Sequence, residues 1–333
     1  MTNKKQVQLL SDIQTQIPSN RSKVEVISEV LQIKRSAAYD RINGKKLLNF
    51  AELTLLCQKF NINLNEYLNP DSDKIEVNFP TLKDGTRSEK EFVDGLLNRL
   101  LLIQSLAEPE IWYISSEIPV LDYFRYPKLT FFKLYIYGKT VWELPHLKKQ
   151  PFRGGQSYDD TYLSAFEKIN EIYTALPSKE IWSTHLVDNT LSQLKYFAQS
   201  GRFANVADIF DILNDLMAMI DELELSAERG RKAFKNGDLG GRFDLFHNEI
   251  THTNNVVIIN SVSQKMVFAT FDNPNYLESS SKDLWDYSAK WFAKLQKRAQ
   301  SVSQQSERNR LMLFNLCRTK IRKATQFIEG LDL

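Results

Sequence analysis

Cysteine and histidine are scarce in this chain of 333 residues, which has two cysteines and four histidines. Cys57 and Cys317 lie too far apart in the sequence to suggest a metal cluster, and we do not expect a disulfide framework. The G-x-x-x-x-G-K-[ST], G-x-G-x-x-G and G-x-S-x-G motifs of nucleotide-binding and hydrolytic enzymes are missing as well. These absences predict a protein of a reducing compartment that has no metal, no cofactor and no catalytic activity.

Long apolar runs are also missing. The N-terminal stretch MTNKKQVQLLSDIQ is polar and periodic, and it lacks the apolar core of a signal peptide. The most apolar segment, residues 129–141, contains Lys133 and Lys139 and is shorter than the roughly 20 apolar residues that span a bilayer. We therefore expect a cytoplasmic protein that does not associate with a membrane.

Net charge is small but unevenly distributed. The whole chain has 43 basic and 41 acidic residues, a net charge of +2. Residues 1–70 contain ten Lys or Arg and six Asp or Glu, which leaves 33 basic and 35 acidic residues for the remainder. The basic N-terminal part is therefore the first place to look for a polyanionic partner.

Helical patterns fill this N-terminal part. Apolar residues recur there at helical spacing, and three polar pairs have the spacing of a capping box: Ser22 with Glu25, Asn49 with Glu52, and Asn63 with Glu66. The pattern predicts five short helices, which we take as one domain of residues 1–69.

The third of these helices lies in the stretch IKRSAAYDRINGKK, residues 33–46. It follows the second helix after only Gln32 and Ile33, and Asn43–Gly44 is typical of a helix end. The small residue Ala38 on its inner side lets it pack closely across the preceding helix, as a helix-turn-helix unit requires.

The outer side of this helix is polar and suits contacts with nucleic acid. Its side chains can hydrogen-bond to base edges in a major groove, where arginine is the usual partner of guanine. The predicted base-contacting residues are Arg35, Ser36, Tyr39 and Asn43. The predicted phosphate-contacting residues are Lys23, Lys34, Arg41, Lys45 and Lys46.

A resemblance to a known family covers residues 20–68, about a fifth of the chain. The sequence from Val26 to Leu68 is VISEVLQIKRSAAYDRINGKKLLNFAELTLLCQKFNINLNEYL. It resembles the lambda-repressor-like helix-turn-helix domain of the Xre/Cro class, and more closely its BetR-type variant. Two positions depart from the family pattern, because Gln32 replaces the usual glycine of the turn and Lys34 replaces the usual capping serine.

The resemblance implies how such a domain would read DNA. In that family the second helix supports the third, and residues at the start of the third helix contact bases. By position this role falls to Arg35, Ser36 and Tyr39. A five-helix module that serves only protein contacts is the alternative interpretation.

The rest of the chain predicts a linker and an α+β domain. Residues 70–89 are polar and interrupted by proline and glycine, which predicts a linker with one short strand at Lys74–Phe79. Residues 90–333 are expected to form an effector or dimerisation domain with a candidate helical insertion at 157–234. The predicted fold class is therefore mainly α with a smaller β part.

The predicted sheet of this second domain is small and mostly antiparallel. Alternating and β-branched residues indicate one strand at Glu110–Ser115 and three late strands between residues 242 and 271.

Two helices are also predicted in this domain. Residues 179–199 have the pattern of a helix, and a single helix is predicted from about Pro119 to Thr140.

Charge is concentrated in two helical regions of the second domain. Residues 290–323 contain ten basic residues and one acidic residue, whereas residues 203–228 contain seven acidic residues and no Lys or Arg. The two regions either pair with each other or are simply solvated faces; alternatively, the basic helices bind the phosphate of an effector or of flanking DNA. The candidate anion-binding or effector-binding residues are Arg298, Arg308, Arg310 and Arg318.

The run of Tyr and Phe between Trp112 and Trp142 also has two interpretations. It is either core or the wall of an effector pocket or dimer face. This run and SVSQQSERNRLMLFNLCRTKI resemble stretches that accompany helix-turn-helix domains in uncharacterised bacterial regulators. That resemblance implies no particular ligand.

Three functional hypotheses follow. The leading one is a bacterial transcriptional regulator that binds double-stranded DNA and responds to a small-molecule or protein effector. We expect it to bind as a homodimer, since one such domain contacts only a half-site. The second is a protein-interaction adaptor that does not bind DNA. The third, an enzyme within residues 90–333, is disfavoured because histidine and acid–base groupings are scarce.

Overall fold

The structure, a computed structural model, describes most of the chain in two compact units. The described residues are 3–18, 20–60, 62, 64–68, 74–80, 85–86, 88–154, 159–249 and 254–331. Unit 1 comprises Met1–Glu76, and unit 2 comprises Val77–Leu333. Unit 1 is helical, whereas unit 2 combines helices with one sheet.

The described part of unit 1 contains five helices, as the sequence predicts. They are α1 (Asn3–Gln16), α2 (Lys23–Leu31), α3 (Arg35–Ile42), α4 (Phe50–Phe60) and α5 (Asn65–Leu68). Their apolar stripes meet in one core, which includes Leu9 and Ile13 of α1, Ile27 of α2, Ala38 of α3 and Leu56 of α4.

One of the three predicted capping boxes forms, and Asn63 of the third lies outside the described residues. At the start of α4 the backbone N–H of Glu52 donates to Asn49 Oδ1 at 2.9 Å, and the N–H of Asn49 donates to Glu52 Oε2 at 3.1 Å. The predicted box at the start of α2 is not formed among the described residues. There the Ser22 side chain makes no cap hydrogen bond, and Glu25 forms an ion pair with Arg35.

A three-residue turn, Gln32–Lys34, joins α2 to α3. Gln32 has φ 53° and ψ 42°, a left-handed conformation that favours glycine. Its N–H points back to the carbonyl groups of Ser28 and Glu29, which closes the end of α2. The turn therefore has a backbone geometry suited to glycine, although the residue is glutamine.

Replacing this glutamine with glycine should stabilise unit 1. We expect Gln32→Gly to raise its free energy of unfolding by about 0.5–1 kcal/mol, because the left-handed strain exceeds the backbone entropy that glycine loses on folding. Hydrogen–deuterium exchange of α2 and α3 amides in the full chain measures the change. The matched control is Gln58→Gly in α4, which should destabilise by about 1 kcal/mol. Equal effects at both positions would contradict the explanation by strain.

Unit 2 contains eight α-helices and eight strands in its described residues. The helices are α6 (Glu89–Gln104), α7 (Val120–Tyr123), α8 (Pro127–Thr140), α9 (Asp160–Ala175), α10 (Asp188–Gln199), α11 (Ala207–Arg229), α12 (Lys282–Arg298) and α13 (Glu307–Glu329). The strands are β1 (Glu110–Ser115), β2 (Ser178–Trp182), β3 (Arg231–Ala233), β4 (Leu239–His247), β5 (Val256–Asn260), β6 (Met266–Thr270), β7 (Tyr276–Ser279) and β8 (Gln300–Ser301). The single helix predicted near residues 119–140 is two helices, because Pro127 begins α8.

The sheet is mixed, which corrects the prediction of a small, mostly antiparallel one. Its strand order is β3-β4-β2-β1-β5-β6-β7, with β8 beside β4. Strands β4, β2 and β1 are parallel neighbours, whereas β5, β6 and β7 add antiparallel pairs. Residues 157–234 are not a wholly helical insertion either, since β2 lies within them and between β1 and β4.

Strand β2 is the element that the sequence pattern assigned wrongly to a helix. Its sequence SKEIW has a charged residue at its centre, yet the Glu180 side chain is completely buried. The carboxylate accepts hydrogen bonds from Tyr173 Oη at 2.6 Å, Ser178 Oγ at 2.8 Å and Trp182 Nε1 at 2.9 Å. These donors make the burial of a charge tolerable, and only the tertiary structure brings Tyr173 to it.

Two hydrophobic clusters lie on opposite faces of the sheet. Alternate residues of β1 point to opposite faces, so Tyr113 belongs to the large cluster beneath most of the helices and Ile114 belongs to the smaller one. Helix α12 covers the smaller cluster with Trp285 and Phe292. Most helices of unit 2 therefore pack on one face of the sheet.

The predicted linker, residues 70–89, is described only in part. Residues 70–73, 81–84 and 87 lie outside the described residues. At the predicted strand Lys74–Phe79, the described backbone forms only an isolated bridge between Asn78 and Glu278. Glu89, the last residue of the predicted linker, is buried at the start of α6.

Candidate nucleic-acid interface

The outer surface of α3 presents all four predicted base-contacting residues to solvent. The Arg35 side chain is 69% exposed and Tyr39 is 53% exposed, and both Ser36 and Asn43 are exposed. Asn43 Nδ2 donates to the Tyr39 carbonyl at 3.0 Å, which orients its amide at the end of the helix. One helix face therefore carries a cation, a hydroxyl, a phenol and an amide, all of which can hydrogen-bond to base edges.

Arg35 is not free on this surface, because it forms an ion pair with Glu25 of α2. Both side chains are well exposed, and such pairs typically contribute about 0–1 kcal/mol. A good bidentate contact with guanine contributes about 1–3 kcal/mol of discrimination. The pair with Glu25 therefore positions the arginine without preventing it from changing partner.

A buried glutamine holds the back of α3 against α1. Gln6 Nε2 donates to the carbonyl groups of Arg41 and Lys46, each at 2.9 Å, and Gln6 Oε1 accepts from the Leu48 N–H at 2.8 Å. The side chain thus satisfies three backbone groups at and just beyond the end of α3. The sequence did give a signal for this contact, since Gln6 lies on the same helical stripe as Leu9, Leu10 and Ile13.

Arg41 is buried, which corrects its assignment as a phosphate-contacting residue. Its Nη2 donates to Glu52 Oε1 at 2.6 Å, its Nε lies 3.0 Å from both carboxylate oxygens, and its Nη1 donates to the Ala37 carbonyl. The hydrogen bonds from Arg41 lower the pKa of Glu52. This guanidinium ties α3 to α4, so it is not available on the surface for a phosphate.

The other four predicted phosphate-contacting residues are exposed lysines. Lys23 begins α2, Lys34 precedes α3, and Lys45 and Lys46 follow α3. Lys34 occupies the N-cap position, where its side chain caps no backbone N–H of the described helix. These lysines flank both ends of α3 in the sequence, so positive charge precedes and follows the polar face.

The four candidate anion-binding arginines of unit 2 separate into two classes. Arg318 pairs with Asp221 at 2.7 Å and with Glu224, both on α11, and the buried Arg310 donates to the Gln304 carbonyl at 2.6 Å. The acidic α11 thus neutralises part of the basic α13, which removes Arg310 and Arg318 from the candidate anion site. Arg298 and Arg308 are exposed and have no ion pair among the described residues.

A buried carboxylate in unit 2 was missed by the sequence analysis. Glu117 follows β1 and lies 3.7 Å from Lys133 Nζ of α8. It also accepts hydrogen bonds from the amide groups of Asn189, Asn255 and Asn273. These donors come from separate parts of the chain, so no local motif could reveal the cluster.

The partners of Lys133 complete this cluster. Only 2% of its side chain is exposed, and its Nζ donates to Gln193 Oε1 at 3.0 Å and approaches Thr190 Oγ1 at 3.5 Å. Burial lowers the pKa of Lys133, whereas the nearby Glu117 opposes that change. Because the carboxylate and the ammonium already have partners, the cluster is suited to holding α8, α10 and the strand ends together.

Lys232 is a second buried lysine of unit 2. Burial lowers its pKa to about 8. Its Nζ donates to the carbonyl groups of Tyr173 and Leu176 at 2.9 and 3.1 Å, and it lies 3.5 Å from the centre of the Tyr173 ring. The ammonium therefore satisfies the C-terminal end of α9 rather than facing solvent.

No group of three or more His, Cys, Asp or Glu side chains among the described residues has the arrangement of a metal site. No described helix combines the length and the apolar character needed to cross a bilayer.

Comparisons with known proteins do not assign this chain to a family. No family model matches it, and no curated protein matches it. Its function is therefore inferred from the geometry of the site.

Proposed function

We propose that the chain is a sequence-specific DNA-binding transcriptional regulator whose α2–turn–α3 unit is a helix-turn-helix. The observation that carries this proposal is the outer face of α3, where Arg35, Ser36, Tyr39 and Asn43 are all exposed. The inner face of the same helix is fixed by the buried Ala38 and by the Arg41–Glu52 pair. A rigid helix with an exposed hydrogen-bonding face suits insertion into a major groove.

Phosphate contacts would come from the lysines that surround α3. Lys34 and Lys45 lie just before and just after the helix, and Lys23 begins α2, whose N-terminus is favourable for an anion. The lack of a side-chain cap at Lys34 typically costs about 1 kcal/mol of helix stability and leaves its ammonium for a phosphate. In this arrangement α3 contacts the base edges, and the lysines contact the phosphate backbone of the duplex.

The assembly and location are also part of the proposal. One such domain contacts a half-site, so we propose a homodimer on a palindromic operator. Unit 2 would then supply the dimer interface or an effector site, and the protein would act in the cytoplasm of a bacterium.

Selection of genomic DNA fragments on the full chain, followed by sequencing, tests the proposal. The native protein should enrich an inverted repeat, and Arg35→Ala/Ser36→Ala should not. On the enriched site Arg35→Ala should cost about 1–3 kcal/mol of binding free energy and relax one base preference. Lys45→Ala should weaken all sequences alike and reduce the salt dependence of binding.

Arg21→Ala is the matched control for Arg35→Ala. Arg21 is also exposed and pairs with a glutamate of α2, Glu29, so its loss removes the same charge and the same kind of ion pair. It should not change the base preference. Equal losses on every sequence for Arg35→Ala and Arg21→Ala would reject α3 as the reading helix.

A protein-interaction adaptor is the second candidate, and one observation favours it. Phe50, the first residue of α4, is 84% exposed, and the nearby Leu47 is 53% exposed. Two exposed apolar side chains only three residues apart in the sequence favour a protein contact. Recovery of DNA without sequence preference, or no binding of DNA, would favour this function over the regulator.

A further inference from the structure

Unit 2 contains a partly open cavity of about 280 Å³ between α6 and the sheet. Helix α6 contributes Leu96, Leu100 and Ile103 to its wall, and the sheet contributes Ile111 of β1 and Phe268 of β6. These side chains are apolar, so the wall offers burial to an apolar molecule. The volume is close to the lower limit of small-molecule pockets, roughly 300–1,000 Å³.

One hydroxyl group at the cavity has no hydrogen-bond partner among the described residues. Thr86 lines the cavity and is 9% exposed, and its Oγ1 is buried without a hydrogen bond in the structure. A buried hydroxyl without a partner is costly, which makes it a place where a ligand can supply the missing hydrogen bond. A threonine hydroxyl can donate to a ligand or accept from one.

The remaining polar groups that line the described part of the cavity do not favour a charged ligand. Tyr113 and Tyr276 bond to each other through their hydroxyl groups at 3.2 Å. Burial raises the pKa of Tyr276 to about 12, so the phenol stays neutral. Arg99, the one cation among the described lining residues, is paired with Glu278 at 3.3 Å. Glu91, the other charged residue among the described lining residues, is not without a partner either.

We propose that this cavity binds an uncharged, mainly apolar molecule of about two fused rings, with one hydroxyl or carbonyl group that hydrogen-bonds to Thr86. The size follows from comparison with an engineered apolar cavity of roughly 150 Å³, which binds benzene. The absence of charge follows from the fact that neither charged lining residue, Arg99 or Glu91, is free of partners. The inference concerns unit 2 alone and does not depend on DNA binding by unit 1.

Isothermal titration calorimetry of the full chain tests it with three probes: 2-naphthol, naphthalene and 2-naphthoate. We expect saturable one-to-one binding of 2-naphthol. The anionic 2-naphthoate should bind at least about tenfold more weakly, because its carboxylate meets no unpaired cation. Thr86→Val should weaken 2-naphthol about fivefold and leave naphthalene unchanged.

Gly95→Leu should fill the cavity and abolish binding of all three probes. A Cβ at Gly95 meets only Arg99 Nη1, at 3.3 Å, and leucine is a better helix former than glycine, so the fold should be retained. Asn98→Leu is the matched control, since Asn98 is exposed on the same helix and does not line the cavity. It should leave binding unchanged.

Three results would overturn the proposal. The first is no saturable binding of 2-naphthol, and the second is binding of 2-naphthoate as tight as that of 2-naphthol. The third is unchanged affinity in Gly95→Leu while its thermal unfolding shows an intact fold.

Discussion

Replacing Glu52 with alanine is expected to lower the free energy of unfolding of unit 1 by about 3–5 kcal/mol, because the change leaves Arg41 buried without its counter-ion. The two side chains are 7% and 10% exposed, and Glu52 accepts three close contacts from the guanidinium. The same carboxylate also closes the capping box at the start of α4 through the Asn49 N–H. One substitution thus removes an ion pair and a helix cap together.

Hydrogen–deuterium exchange in α2, α3 and α4 of the full chain measures this loss directly. Glu29→Ala is the matched control, because Glu29 pairs with Arg21 at 2.9 Å while both side chains are more than half exposed. Its expected cost is below about 1 kcal/mol. The double variant Arg41→Met/Glu52→Leu should recover most of the stability, since a buried pair replaced by apolar residues is often close to neutral. A large loss in Glu29→Ala as well, or no recovery in the double variant, would show that burial of the charge is not the cause.

The second large effect is expected at Glu117 of unit 2. Glu117→Ala should also cost about 3–5 kcal/mol, because it leaves the buried Lys133 ammonium without a counter-ion. The amide groups of Asn189, Asn255 and Asn273 lose their acceptor in the same step. Urea denaturation of the full chain, followed by the fluorescence of its tryptophans, measures the change in unit 2, since Trp112, Trp142, Trp182, Trp285 and Trp291 all lie there.

Two further variants separate the causes of this loss. Glu171→Ala is the control in the same unit, because Glu171 pairs with Lys168 on the surface of α9 with both side chains about half exposed. It should cost less than about 1 kcal/mol. Glu117→Ala/Lys133→Met should be more stable than Glu117→Ala alone, although the three amides still lack an acceptor. If the double variant were no more stable, the unpaired lysine would not be the source of the loss.

Local sequence signals predicted the helices of unit 1 well. Helical spacing of apolar residues and the polar capping pairs placed all five, and the Asn49–Glu52 capping box forms as the spacing indicates. The Ser22–Glu25 spacing is the same, but Glu25 pairs with Arg35. A capping box is local, whereas the competing arginine comes from the next helix, which explains why one prediction was right and the other was wrong.

Burial of individual side chains was the less predictable part of the candidate interface. Arg41 and Arg35 are both arginines of α3, and the sequence assigned both to DNA contacts. The structure buries Arg41 against Glu52 and leaves Arg35 exposed. In unit 2 the acidic helix α11 supplies carboxylate partners for Arg318 of the basic helix α13, as one interpretation of their charge predicted.

By itself the sequence determined the features that depend on neighbours along the chain: the helices of unit 1, the β1 strand, and the polar face of α3. Only the tertiary structure decided the strand order of the sheet. Strand β2 lies at the centre of the sheet because it pairs with β1 and β4, which are distant in sequence, and because hydrogen-bond donors satisfy the buried Glu180. The tertiary structure alone decided which charges are buried, at Arg41–Glu52 and Lys133–Glu117, and which cavity remains beside Thr86. The physical reason is that helix periodicity and capping act over three or four residues, whereas desolvation of a charge is offset by groups that folding brings from elsewhere.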